Sequence, residues 1–478
     1  MAGRRMTSVC RVLLIEDDTS EADAIEKACC PDPGGIAFEI AANSAAAEDA
    51  LRDNEYDLIV SDLALPADER QFDPDVDEGL RLFQLIREGS GGTPVIVLSG
   101  HANLHIVSRF FSANQMADLY GTKTDQPIVQ FFAKEDLPDC VAAVRSHIAK
   151  TQALDRFELE AESVTLGLSD QRALKIYGRR QGGVRGIVER IDDGLSGAKT
   201  FKVSYLDPSG TGVGTVVAKL DDLRTAVREA DRYAQVAPRM PAGLGAPILY
   251  VISAGAGQRG ALIYQLADED PRSLFGLIAE SEEAEATAVV SRLRGNLSEW
   301  SSGNPDVARG LAEIRRPLVS DLDLREAGFE IPAERDVSVN VKAAMSHGDL
   351  HGLNVLVSQR DEPTLIDYGD VRNANAALDP ITLELSALFH PVMGGRLGLW
   401  PSLAQAADWI DLDTFSVGCP IPDYVRACRE WAVAVSAGEG EILATAYAFA
   451  LRQLKFPDTN HDLARAIAMG AYDRLAGS

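Results

Sequence analysis

The sequence predicts at least two folded domains, and the first of them is a doubly wound α/β domain with a parallel sheet. The chain has 478 residues, which is more than one hydrophobic core usually serves. Its first third alternates short apolar runs with helical patterns, as parallel strands joined by helices do. The rest of the chain mixes strand-like and helical segments and carries a separate set of polar motifs, which predicts further folded structure.

The composition is that of a folded, acidic protein. Hydrophobic residues make up 46% of the chain and charged residues 25%, close to globular averages. With 72 acidic against 46 basic residues the net charge is −26, so we expect no direct nucleic-acid or membrane partner. No apolar run approaches the ~20 residues that span a bilayer, and the first residues do not read as a signal peptide, so we expect a cytoplasmic protein. The cysteines stand in no metal-ligand spacing, which predicts reduced thiols; they are Cys10, Cys29, Cys30, Cys140, Cys419 and Cys428.

Four apolar runs in the first third are each followed by polar residues. The predicted strands are Val9 to Ile15, Tyr56 to Val60, Pro94 to Leu98 and Ile128 to Ala133. The polar residues that come after them include Glu16, Asp17, Asp62, Ser99 and Lys134. Helical patterns lie between the strands, at Ser20 to Cys29, Ser44 to Arg52 and Gly79 to Glu88. Because ligands bind beyond the carboxyl ends of parallel strands, we expect these polar side chains to converge.

The converging residues have the chemistry of a phosphoryl-accepting site. Glu16, Asp17 and Asp62 offer hard oxygen ligands of the kind that Mg²⁺ takes. Asp62 can attack a phosphoryl donor while the metal, Lys134 and the Ser99 hydroxyl neutralise charge on the phosphoryl oxygens. The alternative is that strand-end acids are solvated loop residues, which is ordinary for one acid but does not account for the whole ordered set.

The stretches LLIEDD, SDLALP and VIVLSG, together with Lys134, resemble the receiver domains of response regulators over residues 8–148. The resemblance implies a doubly wound, five-stranded parallel sheet with Asp62 as the phosphoacceptor. It also implies that Ser99, Lys134 and Phe131 form the switch. The phosphodonor would be a cognate histidine kinase or a phosphotransfer protein.

Two departures from the receiver pattern concern its output surface. Glu135 stands where a proline usually follows the lysine, and an acidic insert, Ala67 to Glu78, lengthens the loop after the phosphoacceptor.

Residues 149–186 are predicted to be a helical linker, since Leu154 to Glu160 places acids and apolar residues at helical spacing. No DNA-binding helix-turn-helix is legible there, which argues against a transcription regulator. The basic cluster in the linker fits either a solvated turn or a phosphate-binding patch; it comprises Arg179, Arg180 and Arg185.

The most specific pattern of the chain is SHGDLHGLNVLV, followed by LIDYGD. Asp349 precedes Asn354 by five positions, the spacing of the kinase catalytic loop, where an Asp orients the acceptor hydroxyl and an Asn binds metal. Asp367 lies thirteen residues beyond Asn354 and opens a D-Y-G tripeptide, where kinases hold the Mg²⁺-binding D-F-G. His351 fits either this loop or a buried structural role.

The elements expected upstream of such a loop are also legible. Gly194, Ser196 and Gly197 lie between strand-like segments and are predicted to cover phosphates with backbone N–H groups. In GTVVAKL, Lys219 ends a β-branched strand, as the phosphate-pairing lysine of kinases does. Glu229 follows on a helical segment and is its candidate partner.

Gly255, Gly257 and Gly260 spell GxGxxG, the pattern of a dinucleotide-binding turn. That fingerprint must open a helix, whereas the strand-like ALIYQL follows here. We therefore predict a hairpin, with backbone groups of Gln265 and Leu266 available to an adenine ring.

Residues 187–478 resemble the aminoglycoside and choline phosphotransferase-like branch of the kinase fold. More narrowly, HGDLHGLNVLV, LIDYGDV and LDPITLELSALFHP resemble the ternary-complex-associated kinase-like domains found beside bacterial signalling modules. The resemblance implies an α+β two-lobed protein-kinase-like fold, with a small lobe at 187–270, a large lobe at 271–478, and ATP and Mg²⁺ as cofactors. The implied roles are a catalytic base, Asp349; metal ligands, Asn354 and Asp367; a phosphate clamp, Lys219; and structural acids, Asp379 and Glu384.

The two halves together predict a two-component signalling protein in which the receiver, phosphorylated on Asp62, regulates an ATP-dependent phosphotransferase. The alternative is a phosphorylation-controlled scaffold with a nucleotide-binding pseudokinase lobe. Retention of the full set of polar residues argues for an enzyme. The acceptor substrate cannot be read from these motifs.

Overall fold

The computed structural model describes residues 9–29, 35–71, 73–100, 115–161, 164–192, 199–266, 271–301 and 305–477. These residues form two compact units. The first unit contains the described residues up to 192 together with 199–228 and 248–265. The second contains 229–247 and the described residues from 266 onward.

The first unit contains a five-stranded parallel sheet of order β2-β1-β3-β4-β7. The first strands of the chain are β1 Cys10–Ile15, β2 Ile36–Ala41, β3 Leu58–Ser61, β4 Val95–Ser99, β5 Met116–Ala117, β6 Gln126–Pro127 and β7 Val129–Ala133. The predicted strands are confirmed as β1, β3, β4 and β7, each within two residues at either end. β2 is one of the two edge strands and matches no apolar run singled out in the sequence. Three of its six residues are half-buried and two are exposed.

Helices cover both faces of this sheet because successive strand residues point to opposite sides. They are α1 Thr19–Cys29, α2 Ser44–Asp53, α3 Val76–Gly89 and α4 Leu137–Asp155. In β1, Leu13 and Ile15 join the apolar cluster that contains α2 and α3 residues, whereas Val12 and Leu14 join the one with α1 and α4 residues. Burial of each such side chain contributes about 1.5–3 kcal/mol.

A six-stranded sheet of order β12-β13-β11-β10-β9-β8 completes the first unit. Its elements are β8 Glu158–Glu160, α5 Leu168–Arg180, β9 Arg185–Asp192, β10 Lys199–Leu206, β11 Gly212–Asp222, α6 Leu223–Val236, β12 Ile248–Ile252 and β13 Arg259–Gln265. The helical pattern predicted over Leu154 to Glu160 is wrong at its end, because β8 is a strand that pairs in parallel with β9. α5 is helical as expected, but it packs Leu174 and Ile176 into the core of this sheet. The predicted linker segment is therefore part of a core.

The second unit is mixed α/β. Its strands are β14 Arg272–Ser273, β15 Asp306–Gly310, β16 Ser338–Ser346, β17 Val355–Val357, β18 Pro363–Leu365 and β19 Arg372–Asn375, in two three-stranded sheets. Its shorter helices are α7 Leu274–Ala279, α9 Ser298–Ser301, α10 Leu311–Arg315, α11 Asp321–Glu326, α13 Pro391–Leu397, α14 Leu403–Ala407 and α15 Leu412–Phe415. The longer ones are α8 Glu283–Asn296, α12 Leu378–Phe389, α16 Pro422–Val435, α17 Glu439–Arg452 and α18 His461–Ala476. Among the described residues, no helix combines the length and the apolar character needed to cross a membrane.

Candidate functional site

Three carboxylates meet at the carboxyl ends of neighbouring strands in the five-stranded sheet. Glu16 and Asp17 follow β1 directly, and Asp62 follows β3, the strand that pairs with β1. One oxygen of each carboxylate lies within 4.8 Å of the others. Glu16 and Asp62 are buried and Asp17 is half-buried. This set of hard oxygen donors fits a divalent cation such as Mg²⁺.

The ammonium group of Lys134 forms salt bridges with two of these carboxylates. Its Nζ lies 2.9 Å from Asp62 Oδ2 and 3.2 Å from Glu16 Oε2. It also donates to Glu21 Oε2 at 2.8 Å, a contact that the sequence interpretation missed. Glu21 lies in the first turn of α1, where an acid also interacts favourably with the helix dipole. The lysine is thus held by three carboxylates in the position where it can neutralise a phosphoryl oxygen.

The electrostatics of the cluster follow from its burial. Burial raises the pKa of Glu16 to about 7, even though Lys134 opposes this shift. Burial alone would lower the pKa of Lys134, but its hydrogen bonds to Glu21 and Asp62 outweigh burial and raise that pKa. Lys134 therefore stays protonated at neutral pH.

Asp62 is oriented by its own backbone surroundings. Its Oδ1 accepts from the amides of Leu63 at 2.6 Å and Ala64 at 3.2 Å, which leaves Oδ2 facing Lys134. The predicted switch residues lie on the two adjacent strands: Ser99 is the buried last residue of β4, and Phe131 is half-buried in β7. The structure thus brings Glu16, Asp17, Asp62, Ser99 and Lys134 to the carboxyl edge of one sheet, whereas Phe131 lies in the middle of β7.

Residues 12–124 match the family described as Response regulator receiver domain. Residues 12–124 are a receiver domain. A receiver indicates two-component signalling, and it implies a histidine kinase or a phosphotransfer protein as the phosphodonor. The five-stranded parallel sheet agrees with this assignment.

Several solved receiver structures are similar to this part of the chain. A response regulator receiver domain protein from Methanospirillum hungatei JF-1 shares 19% identity, with 30% of this chain and 98% of that chain covered and a TM-score of 0.23. A Francisella response regulator receiver domain shares 22% identity with the same coverages and a TM-score of 0.22. A response regulator from Thermotoga maritima shares 21% identity, again covering 30% and 98%, with a TM-score of 0.23. No curated protein matches the chain.

Within the first unit, the receiver is tied to α5 by a buried set of ion pairs. Arg172 Nε donates to Asp57 Oδ1 at 2.8 Å, and its two terminal nitrogens donate to Asp155. The side chains of Arg172, Asp57 and Asp155 are 4%, 7% and 13% exposed. Two of the three arginines of the predicted linker cluster also have acidic partners: Arg180 pairs with Asp118 at 2.8 Å, and Arg185 pairs with Glu160 at 3.2 Å.

Gly255 and Gly257 of the GxGxxG segment lie in the predicted hairpin turn between β12 and β13, which contacts the receiver, and Gly260 is the second residue of β13. Gly92, in the loop after α3, donates to Gly257 O at 3.0 Å and accepts from the Gly255 amide at 2.8 Å. A Cβ at Gly92 would lie 2.6 Å from Gly257 O, and one at Gly255 would lie 2.5 Å from Leu119 O. These glycines therefore permit close backbone packing against the receiver.

In the second unit, Asp379 organises residues 346–354, which we call the HGD loop. Its carboxylate accepts from the Ser346 hydroxyl at 2.7 Å and from the amides of His347 at 2.8 Å and Gly348 at 3.0 Å. Gly348 has φ +81°, and a Cβ there would lie 2.2 Å from Asp370 O, so only glycine fits. Glu384, the other acid expected to be structural, accepts two hydrogen bonds from Arg429 and one from Trp409.

The HGD loop brings its polar residues together. Asn354 Nδ2 donates to Asp349 O at 2.9 Å, and His351 Nε2 lies 3.9 Å from Asp349 Oδ2. Sequence interpretation missed Arg452, the last residue of α17, whose Nη1 donates to Asp349 Oδ1 at 2.7 Å. Burial opposes the charged form of Asp349, but Arg452, with smaller contributions from His351 and His347, outweighs burial and holds the pKa of this carboxyl well below its usual range. Burial lowers the pKa of His351, which favours its neutral form.

Asp367 follows β18 within two residues and has a left-handed backbone, with φ +67°. Its Oδ1 accepts from the Gly369 amide at 3.3 Å, which closes the turn of the D-Y-G tripeptide. Tyr368 is buried, and its amide donates to Glu229 Oε1 at 3.3 Å. Glu229 lies in the part of α6 that belongs to the second unit.

The remaining predicted residues are placed as follows. Lys219 is buried in β11 three residues before the strand ends, so it does not end the strand as predicted. Gln265 is the exposed last residue of β13, and Leu266 follows it. Gly194, Ser196 and Gly197 lie outside the described residues. The predicted nucleotide-binding roles of these residues stay predictions.

Proposed function

We propose that the chain is a response regulator whose receiver, phosphorylated on Asp62, regulates a Mg²⁺- and ATP-dependent phosphotransferase in the second unit. The HGD loop carries this proposal. It presents Asp349 and Asn354 five residues apart, anchored by Asp379, and a D-Y-G turn with Asp367 follows it. These are the residue types and the spacing of a phosphoryl-transfer site.

In the receiver, an Asp62 oxygen attacks the phosphorus of the donor phosphohistidine. The new O–P bond forms as the P–N bond breaks, and the histidine nitrogen that leaves is protonated. Lys134 neutralises a phosphoryl oxygen, and the Ser99 hydroxyl can donate to another. The Asp17, Glu16 and Asp62 oxygens would hold Mg²⁺, which supplies further charge neutralisation when bound.

In the second unit, the hydroxyl of an acceptor attacks the γ-phosphorus of ATP. The new O–P bond forms as the bond to the β–γ bridging oxygen breaks, so ADP leaves and the hydroxyl proton passes to solvent. Asp349 orients the hydroxyl, since a carboxylate with so low a pKa is a weak proton acceptor. Asn354 and Asp367 offer oxygen donors that suit Mg²⁺, which would neutralise the phosphates.

Contacts within the first unit suggest how the receiver acts. Arg224, in the first turn of α6, donates to Glu88 O of the receiver at 2.8 Å. A Cβ at Gly91 of the following loop would lie 3.4 Å from Leu223 Cδ2. Further along the same helix, Glu229 accepts from the Tyr368 amide of the D-Y-G turn. Phosphorylation is therefore proposed to shift α6 and, with it, the D-Y-G turn.

Titration calorimetry with Mg²⁺ and a non-hydrolysable ATP analogue tests the transferase. The parent protein should bind the analogue, Asp367→Ala should lose metal-assisted affinity, and Asp349→Ala should bind but no longer transfer. No measurable binding by the parent would refute nucleotide binding. Binding without any ATP turnover would instead favour the scaffold alternative.

Regulation is tested by comparing ATP turnover with and without beryllium fluoride, a mimic of the phosphoryl group. We expect a change of about 5- to 150-fold, the usual range of allosteric coupling. Asp62→Ala should abolish the response, and Arg224→Ala should reduce it while leaving Asp62 able to accept phosphoryl groups from acetyl phosphate. If Asp62→Asn accepts phosphoryl groups from acetyl phosphate as well as the parent does, the assignment of Asp62 as the phosphoacceptor is refuted.

A further inference from the structure

Arg452 differs from the other arginines buried in ion pairs. Arg172, Arg315 and Arg429 each use all three guanidinium nitrogens in hydrogen bonds to protein oxygens. Arg452 uses only Nη1, in its bond to Asp349. Its Nε and Nη2 bond to no described residue, and neither is among the described buried polar atoms that lack a partner, so each keeps some solvent-accessible surface. The unused donors form an open edge of the guanidinium.

This open edge lies beside the carboxylate that orients the acceptor. The Arg452 side chain is 18% exposed and that of Asp349 is 22% exposed, so both groups are reachable from solvent. A guanidinium with two adjacent free N–H groups matches the oxygens of a phosphate or a carboxylate in a bidentate geometry. A cationic group such as a quaternary ammonium offers no acceptor for these N–H groups.

We propose that Arg452 is both a positioning residue for Asp349 and the anion-binding residue of the acceptor subsite, so that the acceptor is a hydroxyl compound carrying a phosphate or carboxylate. This inference rests on the proposed phosphotransferase function. The anion binds the free Nε and Nη2 edge, while Nη1 keeps Asp349 Oδ1 in place. The acceptor hydroxyl is then held by the other carboxylate oxygen.

The test uses the full chain loaded with Mg²⁺ and a non-hydrolysable ATP analogue, so that the site of the transferred phosphate is filled. Calorimetric titration with sn-glycerol 3-phosphate, an anionic hydroxyl compound, is compared with titration with choline, a cationic one. The parent should bind glycerol 3-phosphate and not choline. Arg452→Gln should bind glycerol 3-phosphate roughly 10- to 100-fold more weakly, the range of one charge-assisted hydrogen-bonded contact. Arg452→Lys should recover part of the loss.

Controls separate this role from a structural one. Arg452→Gln should keep the parent's affinity for the ATP analogue, which a collapsed site would lose. Arg474→Gln changes an arginine of α18 that pairs with Asp408 at 2.9 Å on the exposed surface, and it should bind glycerol 3-phosphate as the parent does.

Three results would overturn the inference: no binding of glycerol 3-phosphate by the parent, equal binding by the parent and Arg452→Gln, or tighter binding of choline than of glycerol 3-phosphate. Failure of the parent to bind the ATP analogue would instead refute the proposed function.

Discussion

Replacing Arg172 by leucine should destabilise the first unit and leave the second unchanged. Arg172 is 4% exposed and neutralises two carboxylates, Asp57 and Asp155, that are 7% and 13% exposed. Removing one partner of a buried ion pair leaves uncompensated charge and costs about 3–5 kcal/mol. With a urea dependence of about 2–3 kcal/mol per molar, the unfolding midpoint should fall by about 1–2.5 M.

The tryptophans make this prediction selective. Trp300, Trp400, Trp409 and Trp431 all lie in the second unit, so their fluorescence follows that unit alone. Far-UV circular dichroism follows both units. The unfolding of the first unit is therefore the part of the dichroism transition that has no counterpart in fluorescence. In Arg172→Leu this part should move to a lower urea concentration, while the fluorescence transition of the second unit should not move.

A matched control and a compensating variant complete the experiment. Arg185→Leu removes a pair whose members are 42% and 47% exposed, so its effect should stay within about 1 kcal/mol. Combining Arg172→Leu with Asp57→Asn removes the unpaired Asp57 charge, while Asp155 keeps its pair with Lys175 at 3.4 Å, so the double variant should recover about half of the loss. A dichroism transition that moves no further in Arg172→Leu than in Arg185→Leu would refute the reasoning.

Three further predictions concern single positions. Burial, aided by Lys150, lowers the pKa of His147 from 6.5 to about 4, so the unfolded state binds more protons between these values and stability falls as pH drops. The free energy of unfolding should fall by about 2 kcal/mol between pH 7 and pH 5 in the parent, measured by urea titration, and this fall should be absent from His147→Gln. Equal acid sensitivity of the parent and His147→Gln would contradict the prediction. Gly92→Ala places a Cβ 2.6 Å from a backbone oxygen and should lower the free energy of unfolding of the first unit, followed by dichroism, by about 1–3 kcal/mol. In the control Gly89→Ala the added Cβ has no atom within 4 Å, and the free energy of unfolding should not fall. Asp379→Asn weakens the charge-assisted hydrogen bonds to the HGD loop and should lower the free energy of unfolding of the second unit by about 1.5–3 kcal/mol, measured by tryptophan fluorescence in urea. An unchanged fluorescence midpoint would count against the anchoring role of Asp379.

The receiver site could be predicted because Glu16, Asp17, Asp62, Ser99 and Lys134 each lie at, or just beyond, the carboxyl end of a strand. In a parallel sheet the carboxyl ends of the strands meet at one edge, so order along the chain determines proximity in space. Glu21 escaped this reasoning because it lies within α1, and a helical acid gives no signal until the position of Lys134 is known.

The ion pairs could not be predicted because they join distant parts of the chain. Arg452 is 103 residues from Asp349, and Arg172 is 115 residues from Asp57. A single arginine on an amphipathic helix reads as a surface charge unless its partner is known. The linker prediction failed at β8 for a different reason. A three-residue edge strand is too short to show alternation, and acids around one leucine also suit the end of a helix.

The glycines of the GxGxxG segment show why a motif must be judged by what surrounds it. The sequence argued against a dinucleotide site, since a strand-like segment follows the glycines, but it did not show what the glycines of this hairpin pack against. The structure shows this contact, in which Gly92 accepts a hydrogen bond from the Gly255 amide and donates one to Gly257 O, and a Cβ at Gly92 or Gly255 would clash with a backbone oxygen. This contact also agrees with the proposed route of the signal through α6. The segment after α4 is pinned by Arg172 and packed into the core of the six-stranded sheet, so it is poorly suited to act as a flexible lever. The loop after α3 contacts both the glycine hairpin and the first turn of α6, and we expect a change at Asp62 to reach α6 through this loop.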